Sequence, residues 1–566
     1  MKRILSILLV LAMLIPTMAM AERNDELGYD YGLDVTFHSD EPISYSIMFS
    51  DNEAYPYQDD WLLWKAVAAV TNVDIFDELT SIARVDFEDK KTILVNSGVG
   101  PFIIPKTYEE GRFVSGGEVL AISDYVQYMP NYAARVEEWG LEPDLMALYQ
   151  SDGKYYRLPG IKEVANGGYS YVVRKDVFEA AGVDMAASNT WTYEDFYAAM
   201  KQVKEYTGAE YVFSDRFTMN ATLNISAVVY GVTAGWGKAN GMNFDWEDMS
   251  FYFADASDEM KDFLAYWRKL MDEKILDPES FSQEDDAALT KFYNGESYVI
   301  SGTYQNMTDM KSKMLVDGAE LYFLTTPGGP AGMLQIESSR LECGTMISTH
   351  ALEVLGEEGL KKMLRFVDWL WYSDEGNEMM RWGIPKGYWD QFDAELLEEL
   401  EIDPEEDWTY YRTVNEDGTV TRTLRETIYY NGLNPEVMDG ENPLQLNVDY
   451  GFSGGNWMYN DGPAEMISSM MPEEQADWSV RQATYREPRK LSPPVMGTAE
   501  QSEEMNLIST PLMDYVDTMT RKFIVGEADL EADWDTYLDE CEAKGCYDYE
   551  DMCNDIWEDT KHIVGY

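Results

Sequence analysis

Apolar residues recur along the chain at two spacings, and each spacing predicts a kind of element. In Ile43–Phe49 every second residue is apolar, a pattern typical of a strand with one buried face. From Asp59 to Val70 the apolar residues instead follow a helical spacing. The two segments together predict a strand, a loop and a helix, which is the repeating unit of open α/β sheets.

Four later segments have apolar residues three and four positions apart, which predicts amphipathic helices. Thr192 with Asp195 is a typical helix start, and Thr510-Pro511 predicts the start of the last helix. Short β-rich segments alternate with these helices, so we expect α/β lobes with mostly parallel sheets. The helical segments are 192–203, 257–275, 357–372 and 510–525, and the strand segments are 169–173, 297–301 and 321–325.

The length of the chain and one irregular region bear on its division into lobes. A chain of 566 residues exceeds what a single hydrophobic core usually organises, so we expect two or more lobes. The region 384–495 is rich in Trp, Tyr, Asn and Gly but has few clear periods, and we expect it to be loop-rich.

The first residues predict export. Lys2 and Arg3 precede the apolar run Ile4–Ile15, and Ala19-Met20-Ala21 offers small residues for cleavage after Ala21. The run is shorter than the ~20 residues of a membrane-spanning helix, although a retained anchor is the alternative interpretation. We therefore expect a periplasmic or extracellular protein without membrane insertion.

The chain is strongly acidic, with 43 Lys and Arg against 104 Asp and Glu and a net charge of −61. Such a surface repels nucleic acid and anionic lipid, so we expect no nucleic-acid partner. The negative field also favours a neutral ligand over an acidic one, unless a local cation such as Arg381 overrides it.

Residues for catalysis and metal binding are scarce. The chain has three histidines, His38, His350 and His562, and none stands in a catalytic or metal-binding motif. We expect no cofactor, no metal and no catalytic residue. Because a glycosidase needs only two carboxylates, a secreted carbohydrate-active hydrolase or lyase is the alternative function.

Three of the four cysteines lie near the C-terminus: Cys541, Cys546 and Cys553, with Cys343 far from them. In an exported protein a Cys541–Cys546 or Cys546–Cys553 disulfide is possible, and a buried thiol is the other interpretation of Cys541. Their spacing does not match the usual zinc sites.

Aromatic residues suggest a carbohydrate ligand. The chain has 16 Trp and 39 Tyr, and sugar rings stack on aromatic faces while carboxylates and amides bind their hydroxyl groups. Candidates in predicted loops are Asp51-Asn52, Trp236, Tyr304 and Trp382. For each single aromatic residue, core packing is the alternative interpretation.

Several segments, taken in chain order, match one family. The clearest are Ser151–Pro159 (SDGKYYRLP), Tyr171–Asp176 (YVVRKD), Lys274–Glu279 (KILDPE) and Tyr515–Glu527 (YVDTMTRKFIVGE). Together they resemble the family 1 extracellular solute-binding proteins of ABC importers, especially the large lipoprotein-like oligosaccharide-binding branch.

The resemblance implies an α/β, two-lobed periplasmic-binding-protein (flytrap) fold with discontinuous lobes and C-terminal helices. It implies a monomer that binds a small ligand, expected to be a neutral oligosaccharide, without chemistry and delivers it to ABC permease subunits. The implied layout is a signal peptide at 1–21, an N-terminal arm at 22–41, lobe one at 42–162 and 340–378, lobe two at 163–339 and 379–497, and a C-terminal helical segment at 498–566.

The resemblance also nominates ligand-binding residues by their positions in the matching segments. Some of these residues follow strands and others lie near the expected crossings between the lobes. They are Asp51, Asn52, Glu163, Tyr171, Trp236, Tyr304 and Trp382.

The chain departs from the family pattern in two places. Glu22 stands where the branch has its lipidated cysteine, so we expect no lipid anchor, and a sensory or other binding protein on the same fold stays open. Thr207–Tyr211 lacks the acidic calcium loop that some relatives carry after the preceding helix, so we expect no calcium there.

Overall fold

The structure is a computed structural model that describes residues 37–566, except 54, 76–77, 166–167, 239, 336–338, 441 and 455–461. The expected signal peptide and most of the N-terminal arm lie outside the described residues. Within the part of the chain that is described, no helix combines the length and the apolar character needed to cross a bilayer.

The described chain alternates strands and helices over most of its length. The strands are β1 (Ile43–Ser44), β2 (Ile47–Asp51), β3 (Val73–Asp74), β4 (Leu79–Ala83), β5 (Ile103–Thr107), β6 (Leu158–Ile161), β7 (Tyr169–Arg174), β8 (Met242–Asp245), β9 (Ser250–Phe253), β10 (Val299–Thr303), β11 (Leu321–Phe323), β12 (Leu341–Ile347), β13 (Tyr410–Val414), β14 (Val420–Leu424), β15 (Ile428–Tyr429) and β16 (Leu444–Gln445). The helices are α1 (Leu62–Thr71), α2 (Phe87–Asn96), α3 (Gly111–Val114), α4 (Pro130–Glu138), α5 (Glu142–Leu145), α6 (Lys175–Ala180), α7 (Tyr193–Thr207), α8 (Asn220–Ala227), α9 (Asp258–Asp272), α10 (Asp285–Asn294), α11 (Tyr304–Lys313), α12 (Thr349–Tyr372), α13 (Asp374–Trp382), α14 (Ala394–Glu399), α15 (Leu446–Asp449), α16 (Ala464–Ser469), α17 (Glu473–Tyr485), α18 (Ala499–Val525), α19 (Trp534–Ala543) and α20 (Cys546–Thr560).

The larger sheet has the strand order β4-β2-β5-β12-β6. β2 pairs in parallel with β4 and β5, whereas β12 runs antiparallel to both β5 and β6. Side chains alternate between two cores: Ile47 and Phe49 enter one, and Met48 enters the other. Because both faces are covered, the strand is apolar at successive positions.

The smaller sheet has the order β10-β7-β11, and both outer strands run antiparallel to β7. The expectation of mostly parallel sheets is therefore wrong for this sheet and only partly right for the larger one. Alternating strands and helices do not require parallel pairing, since a strand added from a later segment can pair in either direction.

Two extensive hydrophobic cores divide the described chain into two lobes. The first core is built around the larger sheet and takes side chains from Phe37 through Ile161 and again from Ile347 through Met470. The second is built around the smaller sheet and takes them from Tyr171 through Leu324 and from Met505 through Trp557. Each lobe is therefore made of segments that are far apart in sequence.

One part of the predicted layout needs correction. Residues 379–497 were expected in lobe two, but Met379, Trp408, Phe452 and Met470 all pack in the first core. Trp478 is the first residue of this region to pack against the smaller sheet, beside Phe323. The chain thus adds its irregular region to the first lobe before it returns to the second. A hydrophobic pattern reports that a face is buried but not which core buries it.

Helix starts agree closely with the capping signals in the sequence. The side chain of Thr192 accepts a hydrogen bond from the Asp195 amide, and the Asp195 carboxylate accepts one from the Thr192 amide, forming a capping box. The helix predicted to begin at Thr510-Pro511 instead begins at Ala499, where Thr498 and Gln501 form another capping box, so Pro511 lies inside α18.

The predicted first strand is broken in the structure into β1 and β2. Ser46, between them, accepts hydrogen bonds from the amides of Phe102 and Ile103 instead of continuing one ladder.

All four cysteines are free and buried. The disulfide interpretation of Cys541, Cys546 and Cys553 is therefore not supported, whereas the buried-thiol interpretation is.

Candidate functional site

The two sheets present one edge each to the segments that connect the lobes. In the larger sheet β2, β4, β5 and β6 all end at the same edge, because Leu341 at the start of β12 pairs with Ile161 at the end of β6. In the smaller sheet Tyr169 at the start of β7 pairs with Thr303 at the end of β10. The chain runs from Ile161 to Tyr169, so both edges adjoin the first connection between the lobes, and we take them as the border of the space between the lobes.

An aromatic cluster lies at this edge of the smaller sheet. The ring of Trp236 contacts Tyr169 edge-on, with centroids 5.3 Å apart, and Phe217, with centroids 5.0 Å apart. Trp236 remains 49% exposed, whereas most large aromatic residues of this lobe are buried. An exposed indole supported by two other rings is a preformed surface on which a sugar ring can stack.

Glycines hold the Trp236 loop close to α8. Gly235 has a φ of 56°, and a Cβ atom there would lie 2.1 Å from the carbonyl oxygen of Asn220. A Cβ atom on Gly237 would lie 2.0 Å from the Asn224 side-chain oxygen. The approach to the Asn220 backbone requires glycine at position 235, whereas the Asn224 side chain near Gly237 could move, so Gly235 holds the Trp236 loop against α8.

Polar groups lie at the facing edge of the larger sheet. Asp51 ends β2, and its carboxylate accepts a hydrogen bond of 2.8 Å from the Tyr57 amide. Asn52 follows it and pairs with Tyr55 in a single bridge. Tyr108 follows β5 and is more than half exposed. This edge therefore combines hydrogen-bonding side chains with an exposed aromatic ring.

Comparisons with known proteins agree with this geometry. Residues 81–331 match the model of a family described as bacterial extracellular solute-binding proteins. The resemblance noted in the sequence is therefore confirmed. Over these residues the chain is similar to bacterial extracellular solute-binding proteins.

Solved structures extend the likeness beyond the matched residues. An HMO-binding, ABC-transporter-associated solute-binding protein from Bifidobacterium longum infantis has a TM-score of 0.64 at 13% identity, covering 92% of this chain and 99% of that one. An alginate-binding protein without its calcium ion has a TM-score of 0.61 at 15% identity, and the match covers 93% of this chain and 100% of that one. A Streptococcus pneumoniae substrate-binding protein in complex with kestose has a TM-score of 0.60 at 16% identity, and the match covers 92% of this chain and 99% of that one.

At these identities the structural likeness establishes the two-lobed solute-binding fold over nearly the whole chain. No curated protein sequence matches the chain. The family and the structural neighbours are binding proteins.

Of the residues nominated from the sequence, Asp51, Asn52 and Trp236 lie at the two sheet edges. Glu163 lies on the first connection between the lobes, where its carboxylate accepts a hydrogen bond of 2.7 Å from the Ala464 amide. Its backbone amide also donates to the Gly462 carbonyl, so Glu163 joins the connection to the segment before α16.

The expectations for Tyr171 and Trp382 disagree with their burial. Tyr171 is fully buried in the second core, where its hydroxyl lies 3.0 Å from that of Tyr193. Trp382 is 1% exposed and donates from Nε1 to Ser469. Protein atoms cover both rings, so neither can stack on a ligand in this conformation.

Tyr304 lies apart from the aromatic cluster. Its ring is buried, and its hydroxyl donates to Glu474 on α17 over 3.0 Å. It borders a separate cavity of about 600 Å³ that is also lined by Lys175, Lys311 and Arg481. Burial, together with the Glu474 carboxylate, raises the pKa of this hydroxyl. Tyr304 therefore connects α11 to α17.

Thr207–Tyr211, the segment in which no calcium site is expected, is held by Lys204. The Lys204 ammonium donates to the carbonyl oxygens of Ala209, Glu210 and Lys274, at 3.1, 2.6 and 2.9 Å. Among the described residues no group of three or more His, Cys, Asp or Glu side chains is arranged to hold a metal ion. The absence of a calcium site stays a prediction.

Tyr169 and Phe217 were missed as site residues. Tyr169 was predicted only as the start of a strand, and Phe217 follows a polar segment without a recognisable motif. A signal for Tyr169 was present, since it is the first residue of the strand that follows the crossing between the lobes.

Proposed function

We propose that this protein is an extracytoplasmic receptor that binds an oligosaccharide between its two lobes and presents it to an ABC permease. The observation that carries the proposal is the exposed Trp236 ring, supported by Tyr169 and Phe217 at the sheet edge that borders the other lobe. The structural neighbours with named carbohydrate ligands, alginate and kestose, support the same ligand class.

The two lobes supply different parts of the proposed binding site. The second lobe offers the aromatic surface, and the first offers Asp51, Asn52 and Tyr108 at the opposite edge. A ligand that contacts both edges binds the closed arrangement more tightly than the open one and so shifts the population toward closure. The permease would then recognise the closed form.

The proposal includes no chemical step. The two carboxylates nominated from the sequence, Asp51 and Glu163, each accept a backbone hydrogen bond and belong to different parts of the cleft border. A glycosidase instead needs two carboxyl groups on either side of the scissile bond, one of them acting as an acid. The proposal also includes export by cleavage after Ala21 and a monomeric state.

Calorimetric titration followed by mass spectrometry of the recovered sugar tests the proposal. The mature protein is titrated with oligosaccharides, amino acids and short peptides. The bound ligand is then released, and its mass is measured by mass spectrometry. We expect saturable binding of one oligosaccharide class and recovery of the intact sugar. Shortened products would show that the protein is a carbohydrate-active enzyme. Binding of peptides or amino acids alone would contradict the proposal that the ligand is an oligosaccharide.

A further inference from the structure

Acidic residues outnumber basic ones in this protein, 104 to 43, yet several Lys and Arg side chains of the described residues are buried. Four of the buried Lys and Arg residues of the described chain meet a carboxylate within 3.3 Å: Lys91, Lys162, Arg174 and Arg365. Three others, Lys106, Arg216 and Arg486, are buried and make no ion pair with a described carboxylate. In so acidic a chain, the absence of a carboxylate partner needs a specific reason.

Arg486 has such a reason. Its guanidinium donates to the carbonyl oxygens of Thr326, Asn189 and Tyr485, so backbone acceptors hold it between two segments of the second lobe. Its role is structural. Lys106 and Arg216 lack comparable sets of acceptors.

Arg216 lies beside the aromatic cluster at the edge of the smaller sheet. Its guanidinium covers the Phe217 ring at 4.6 Å, and Nη2 donates to the Ser301 carbonyl and the Asn306 side chain, each over 3.0 Å. Its Nε is buried without a hydrogen-bond partner. The neighbouring Asp215 does not neutralise it, because that carboxylate accepts from the Ser301 amide and the Thr222 hydroxyl.

Lys106 lies near the end of β5, at the facing edge of the larger sheet. Its ammonium donates to one neutral acceptor, the Ser50 hydroxyl, over 3.1 Å. Its backbone has a φ of 54°, which is unfavourable for a lysine and marks a locally strained position. Burial, reinforced by the charge of Arg84, lowers the pKa of Lys106 to about 8. An anion beside the Lys106 ammonium group would supply the negative charge that no described carboxylate places within ion-pair distance.

We propose that the oligosaccharide is acidic, and that carboxylates on its sugar units bind Arg216 in the second lobe and Lys106 in the first. This inference rests on the proposed function and replaces the neutral ligand expected from the net charge. Arginine binds planar carboxylates with its fork of N–H donors, and a sugar ring attached to that carboxylate can stack on the neighbouring aromatic cluster. The overall negative field is screened beyond about 8 Å at physiological salt, so local cations decide binding inside the cleft.

A matched pair of ligands tests the carboxylate directly. Oligosaccharides of glucuronate, galacturonate and mannuronate units are titrated calorimetrically beside their carboxyl-reduced neutral counterparts of the same length. We expect at least one acidic member to bind about tenfold or more tightly than its neutral counterpart, a difference of about 1.4 kcal/mol. Equal or tighter binding of the neutral sugars overturns this inference but leaves the proposed function intact.

If no acidic oligosaccharide binds, the inference also fails. Binding of neutral oligosaccharides in the same series would then preserve the proposed function. If neither the acidic nor the neutral oligosaccharides bind, both the inference and the proposed function are overturned.

Variants of Arg216 identify the group responsible. Arg216→Gln should weaken the acidic ligand about tenfold or more and leave any neutral ligand unchanged, and Arg216→Lys should restore part of the loss. Lys274→Gln removes one positive charge from the exposed turn after α9 and should change neither affinity. Melting temperatures of the variants verify folding. An equal loss for acidic and neutral ligands would mean that Arg216 does not select the carboxylate.

Proton uptake tests Lys106 independently. A carboxylate beside Lys106 favours its charged form, so binding at pH 8 should take up protons, measured by titration in two buffers of different ionisation enthalpy. Lys106→Met should abolish this uptake. Binding of the acidic ligand without proton uptake would show that Lys106 is not part of the site.

Discussion

The exposed indole of Trp236 has a larger expected effect on binding than on folding. Because the ring is 49% exposed, Trp236→Ala should lower the melting temperature only slightly. Loss of the stacking surface should weaken oligosaccharide binding about tenfold or more, as measured by calorimetry. Tyr206→Ala, which removes an aromatic ring that is 60% exposed at the end of α7, is the matched control and should leave affinity unchanged.

Asp255 is a single residue whose ionisation should affect stability. Its carboxyl group is fully buried, neither oxygen has a hydrogen-bond partner, and burial raises its pKa from 3.8 to about 8. A raised pKa means that the group's contribution to stability is fully present below pH 3.8 and is lost as the pH rises toward 8.

Asp255→Asn removes this titration, so the variant should gain stability relative to the wild type as the pH rises from 4 to 8. The gain is at most about 1.4 kcal/mol per pH unit. Urea unfolding of both proteins at pH 5 and pH 8 measures it. A wild-type to variant difference that is the same at both pH values would mean that Asp255 is not protonated in the folded protein.

Residue identity alone could not separate the exposed aromatic rings from the buried ones. Trp236 and Trp382 both adjoin glycine in the sequence, yet the first is half exposed and the second is enclosed by Tyr410 and the segment around Ser469. Exposure depends on elements that are distant in sequence. The same limitation applies to Arg216, since no local pattern indicates that a carboxylate partner is missing.

At the scale of elements, Pro511 inside α18 is a local defect that substitution should repair. Proline has no amide hydrogen and disfavours a helix interior by about 3 kcal/mol relative to alanine. The carbonyl left without a donor belongs to Leu507, whose side chain is 74% exposed, so water can reach this face of the helix.

Because Pro511 itself is exposed, Pro511→Ala should remove the defect without loss of packing. We expect about 1–3 kcal/mol of stabilisation, measured by denaturant unfolding. A destabilised variant would mean that Pro511 is required to fit α18 against α9 and α20.

Elements with strong local signals were predicted well, and those defined by distant contacts were not. The capping box at Thr192 and the helices around 257–275 and 357–372 follow from spacing and from caps. The second capping box at Thr498 was overlooked because Pro511 suggested a later start. Antiparallel pairing of β12 and of the smaller sheet depends on the three-dimensional path of the chain, which periodicity does not contain.

At the scale of the whole molecule, the two-lobed fold was anticipated from the ordered segments, but the lobe membership of 379–470 was not. That region joins the first core through residues such as Trp408 and Phe452. The lobes are consequently connected after Ile161, before Leu341 and again between Met470 and Trp478. We expect these three connections to restrict any relative motion of the lobes to a hinge at the connecting segments.

The central claim is that both lobes hold one oligosaccharide, and small-angle X-ray scattering with and without a saturating ligand tests it most directly. We predict that a sugar identified by calorimetry reduces the radius of gyration, because contact with both sheet edges favours the closed arrangement. Trp236→Ala at the same sugar concentration should show a smaller reduction. An unchanged radius of gyration at full occupancy would contradict binding between the lobes and place the ligand on one lobe alone.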